Sequence, residues 1–134
     1  MGMYTELVLG CSIKNNPEII TAIHWLLDNS KNKTNCPSIL PQGGRIDWMF
    51  NSSGSCYFGG PSGIHHFKYD TISDCYRFSA RFNIKNYDEE IQKFLEWLRP
   101  FIDQGSGSRG WYAAVTYEEA DEPTLFYLDA KDDN

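Results

Sequence analysis

The chain has 134 residues, a formal charge of −6, 41% hydrophobic residues and 15% aromatic residues. That length suits one domain able to bury about two-thirds of the surface its unfolded form exposes, and the ring content excludes a disordered composition. From Glu118 onward seven acids stand against Lys131, so this stretch accounts for the whole −6 and the rest sums to zero. Such a balance excludes non-specific binding along a nucleic-acid backbone, yet it admits a small anionic ligand held by a few local cations.

No apolar run approaches the roughly 18 residues of a membrane span, and the N-terminus lacks the basic region and cleavage site of a signal peptide. A cytoplasmic protein with no membrane contact is expected. Cys11, Cys36, Cys56 and Cys75 lie 25, 20 and 19 residues apart with no CxxC pair, and read as reduced thiols.

Tyr4–Lys14 alternates, with Thr5, Leu7, Leu9, Cys11 and Ile13 on one face, and is read as a strand. Asn16-Pro17-Glu18 then supplies an N-cap, a proline at the first helical position and an early acid. A helix of about twelve residues is predicted after it, its apolar face formed by Ile20, Ile23, His24 and Leu27. Residues 29–44 are polar and lack a period, which predicts a long connection. Short β-like runs follow at Arg45–Phe50, Ser55–Phe58 and Ile64–Tyr69, punctuated by Gly and Ser as in a meander.

Asp74–Lys85 has the strictest alternation: Tyr76, Phe78, Ala80, Phe82 and Ile84 form an apolar face, and Cys75, Arg77, Ser79, Arg81 and Asn83 a polar one with two cations. A helix over Tyr87–Ile102 is predicted next, buried through Ile91, Phe94, Leu95 and Leu98, with Asp88, Glu89 and Glu90 in its first turn and Glu89 able to pair with Lys93. After a flexible 104–110 segment, Trp111–Glu118 and Thr124–Asp129 read as two strands. The expected fold is α+β: one domain over residues 1–129 with a mainly antiparallel sheet of five to seven strands, two helices on one face, and a frayed acidic tail at 130–134.

Chemistry-bearing motifs are sparse. Gly105-Ser-Gly107-Ser-Arg-Gly110 matches GxGxxG, but it follows a helix and precedes a strand, the reverse of the nucleotide fingerprint. His65 and His66 point to opposite faces of a strand and cannot chelate one ion together, and His24 reads as a core residue; no metal or cofactor is expected. The segment 47–60 holds the densest information. Its Ser and Gly offer hydroxyls and close backbone approach, and its rings can stack on a base, so Trp48, Ser53, Ser55 and Tyr57 are candidate ligand contacts; a tight hairpin feeding its rings to the core is the alternative. Arg77 and Arg81 share a polar strand face about 13 Å apart, able to grip an anion or to pair with acids on neighbouring strands. The Glu118–Glu122 cluster reads as a soluble turn or as a mimic of phosphates toward a basic target.

Three stretches, Met3-Tyr-Thr-Glu-Leu-Val-Leu-Gly10, Asn83-Ile-Lys-Asn-Tyr-Asp-Glu-Glu-Ile91 continuing to Pro100, and Tyr117-Glu-Glu with Glu122-Pro-Thr-Leu-Phe-Tyr-Leu128, resemble a family of small uncharacterised proteins found in phages, prophages and bacterial genomes. The Ser-Cys-Tyr-Phe-Gly59 stretch resembles the family's central Ser/Tyr-rich segment. The resemblance implies a bacterial or infected cell as the setting and brings no catalytic residues with it. The expected function is a non-enzymatic accessory or counter-defence protein that binds a host protein or a small anionic, nucleotide-like ligand. The alternatives are a small enzyme on a phosphoester-like substrate, with His65 or His66 as base and an arginine clamp, and a structural homodimer joined through the sheet face without helices.

Overall fold

Ten-residue runs of alternating apolar and polar side chains dominate the architecture, because each can bury one face while leaving the other free. The computed structural model describes residues 3–32, 35–41, 46–60, 62–103 and 110–127, without the Cys56 side chain. Five strands, β1 (Thr5–Lys14), β2 (Ile64–Asp70), β3 (Cys75–Ile84), β4 (Trp111–Tyr117) and β5 (Thr124–Tyr127), form one sheet in the order β2-β3-β1-β4-β5. All pairings are antiparallel. The central pair is in register from Thr5↔Ile84 to Lys14↔Cys75, which places Leu7 beside Phe82 and Leu9 beside Ala80 on the buried face.

Two helices cover that face, α1 (Pro17–Leu27) and α2 (Glu90–Leu98), so the fold is the expected α+β arrangement. Asn16 caps α1, its Oδ1 accepting from the Glu18 N–H at 3.1 Å, with Pro17 at the first position. The buried side of α1 is Ile19, Ile20, Ala22, Ile23 and Leu26. His24 is exposed at the flank, where its ring meets Phe67 edge-on at 5.0 Å; the apolar stripe is rotated one position from the predicted one.

Two predicted strands are replaced by 3₁₀ turns. Ile46–Asn51 and Cys56–Phe58 are helical, while Arg45 lies outside the described residues. Ile46, Met49 and Phe50 recur at i, i+3 and i+4, and all three are buried, so this short apolar run follows the helical period. Phe50 meets Phe78, Phe82 and Phe94 at centroid distances of 5.9, 5.0 and 5.1 Å, locking the turn against β3 and α2.

α2 is shorter than the predicted Tyr87–Ile102. Glu89 takes a left-handed conformation (φ 56°), so the helix starts at Glu90, where Asn86 Oδ1 accepts from the Ile91 N–H at 2.9 Å. Asp88 and Glu89 therefore precede the helix rather than fill its first turn, and Pro100 sits in a terminal 3₁₀ turn, Arg99–Phe101. The expected 104–110 flexible segment, apart from Gly110, and the 130–134 tail lie outside the described residues. Among the described residues no helix is long and apolar enough to cross a membrane.

Candidate functional site

After the 3₁₀ turn the chain rounds the sheet edge, and residues 52–60, with Ser62, settle over the end of β3. Asn83 is the anchor. Its Oδ1 accepts from the Ser55 N–H at 2.6 Å, its Nδ2 donates to the Ser55 carbonyl at 3.2 Å, and its backbone N–H donates to Ser62 Oγ at 3.1 Å. Ser52 Oγ donates to the Asn83 carbonyl at 3.1 Å. A side chain at Gly54, which has φ 62°, would collide with the Asn83 amide, and one at Gly60 would collide with the Arg81 guanidinium. Glycine at these two positions is what lets the segment lie so close.

The two arginines have separate surroundings. Arg81 Nε pairs with Glu6 Oε2 across the strands at 2.7 Å, and Nη2 donates to the Phe58 carbonyl at 3.2 Å. Arg77 pairs with Asp70 at 2.8 Å and also donates to Ser12 Oγ and, at 3.2 Å, to Ser73 Oγ. Arg81 thus stands beside Phe58 and Gly60, in the segment that carries Ser55 and Tyr57, whereas Arg77 belongs to the β2–β3 turn at the far end of the strand. Tyr57 is 61% exposed, its ring edge-on to Phe58 at 5.1 Å. Ser55 is engaged by Asn83 and accepts from the Tyr57 N–H at 3.1 Å.

Trp48 and Ser53 come together elsewhere, in a groove of about 470 Å³ whose other walls include Tyr4, Ser52, Ile84 and Lys85. Lys85 Nζ lies 5.7 Å from the Tyr4 ring centroid. Trp48 is 42% exposed and is steadied by Lys31, whose Nζ stands 4.4 Å from its centroid. That ammonium is spent on the fold: it donates to the Leu26 and Asp28 carbonyls at 3.1 Å each and to Asn51 Oδ1 at 3.0 Å, closing the C-terminus of α1. Burial holds its pKa below the ordinary lysine value, with Asp47 and Asp28 opposing that shift.

The six candidates therefore divide three ways: Trp48 and Ser53 in the groove, Ser55, Tyr57 and Arg81 on the helix-free face, and Arg77 at the turn. Tyr4, Ser52 and Lys85 are groove residues that sequence reasoning did not select. The signal for Tyr4 and Lys85 lies in register, since Thr5↔Ile84 pairing brings Tyr4 opposite Lys85, and Ser52 adjoins Ser53 in the chain. His65 and His66 stand opposite Ala80 and Ser79 on β3, outside the groove lining. Cys11 is half-buried against the core, and desolvation pushes its thiol up to about 12, which disfavours the nucleophilic thiolate. Comparison with protein families, curated proteins and solved structures finds no match to this chain. The groove's geometry carries the functional reading.

Proposed function

We propose that this chain is a non-enzymatic accessory binding protein of phage type that holds a small anionic, nucleotide-like ligand in the Trp48–Lys85 groove. One observation carries this reading: a single concavity joins two accessible rings, Trp48 and Tyr4, to the serines 52 and 53 and the ammonium of Lys85. Rings offer a stacking surface for a base, and a lysine with neighbouring hydroxyls meets a phosphate. Its volume of about 470 Å³ falls in the range of small-ligand sites, about 300–1,000 Å³. Among the described residues the lining includes no His, Cys, Asp or Glu to serve as a general base, which favours binding over turnover.

The test is calorimetric titration of the full chain with adenosine monophosphate. Trp48→Ala is expected to weaken binding about ten-fold, the loss of one stacked base. Lys85→Ala should weaken it about as much and flatten its salt dependence. Unchanged affinity in both variants, with melting temperatures like that of the parent, would remove the groove as the site.

A further inference from the structure

A second cavity, of about 560 Å³, opens on the helical side of the sheet, between the start of α2 and the β4–β5 hairpin. Thr5, Val115 and Phe126 form its floor at this end of the sheet, Thr5 and Val115 buried and Phe126 half-buried, and Gln92 of α2 stands in its wall. Tyr87 and Tyr117 line it and are 62% and 44% exposed. Two carboxylates, Glu89 and Glu122, reach it from opposite elements, and among the described residues its lining contains no Lys, Arg or His.

We infer that this cleft is a binding site for an organic cation, an ammonium or guanidinium carried on an apolar body. The apolar body would rest on Val115 and Phe126, the charge would lie against the tyrosine faces, and the carboxylates would neutralise it. Glu118, Glu119 and Asp121 in the adjoining turn add to the negative field that draws a cation in. No residue here belongs to the Trp48–Lys85 groove, although both concavities lie at the same end of the sheet.

The experiment is an NMR titration of the full chain with benzylamine and with its neutral counterpart, benzyl alcohol. Benzylamine should shift the Tyr87 and Tyr117 ring signals and bind about ten-fold more tightly than the alcohol. Glu89→Gln with Glu122→Gln, at two exposed positions, should abolish that preference while leaving the melting temperature and adenosine monophosphate binding unchanged. A blocked tripeptide with a central arginine separates two sources of the same chemistry: binding tighter than benzylamine assigns a partner protein's side chain, and weaker binding assigns a free amine. Equal affinity for amine and alcohol, no binding of either, shifts confined to other residues, or a preference that survives the double substitution would overturn the inference.

Discussion

Asn83 is 1% exposed on a sheet face that neither α1 nor α2 covers, because Ser52, Gly54, Ser55 and Ser62 close over it. Its amide substitutes for a strand pairing by satisfying both backbone groups of Ser55. Asn83→Ala leaves those groups facing a small void, so a loss of about 2 kcal/mol is expected in urea denaturation. The same change should release Tyr57 and Phe58 from their place beside Arg81, seen as faster amide exchange over residues 53–60. His65 gives a pH-dependent contribution. Burial, and then the charge of Lys31, hold its pKa below the ordinary 6.5. The unfolded chain therefore takes up this proton first as pH falls, so stability declines on acidification below 6.5 and recovers as pH rises toward that value. His65→Gln should flatten the stability profile between about pH 5 and about pH 7; an unchanged slope would show that another group sets it.

Among the elements, α2 offers the sharpest test of local backbone chemistry. Glu89 is left-handed at φ 56°, a conformation that glycine adopts without a Cβ penalty. Glu89→Gly keeps the carbonyl that accepts from the Lys93 N–H at 2.9 Å and should raise stability by about 1 kcal/mol in thermal unfolding. It also deletes one carboxylate from the cleft, so stability and amine binding should move in opposite directions. The long elements were legible in the sequence for a physical reason. β1 and β3 sustain alternation over ten residues each, and Asn16-Pro17 marks the start of α1 chemically. Residues 45–50 and 55–58 were not, since runs this short fit either period until tertiary contacts decide. Phe50 settles the first by filling a space bounded by three other phenylalanines. The left-handed Glu89 was invisible for a similar reason: a residue with ordinary helix propensity sits where the chain path, rather than preference, sets its backbone.

On the scale of the whole molecule, the sheet has two unlike ends. At one, the β2–β3 turn is tied by Asp70 and Asp74, whose carboxyls are held below the usual range chiefly by Arg77 and by Tyr69 respectively. Arg77 is consumed in that turn. At the other end lie the Trp48–Lys85 groove and the acidic, tyrosine-lined cleft. The acidity of the final hairpin thus stands close to Lys85 without occupying its groove. Half of this site was legible: ring- and serine-rich composition singled out Trp48 and Ser53, but nothing near them in sequence points to Tyr4 or Lys85, which arrive through the pairing of β1 with β3. The arginines were legible as a shared face and not as engaged groups, because Glu6 and Asp70 reach them across strands. The most direct test of the central claim is a chemical-shift map of the full chain during titration with adenosine monophosphate. Shifts should concentrate on the Trp48 indole, the Tyr4 ring and the amides of residues 51–53 and 85; shifts centred on Arg77 and the β2–β3 turn, or none at saturating ligand, would contradict it.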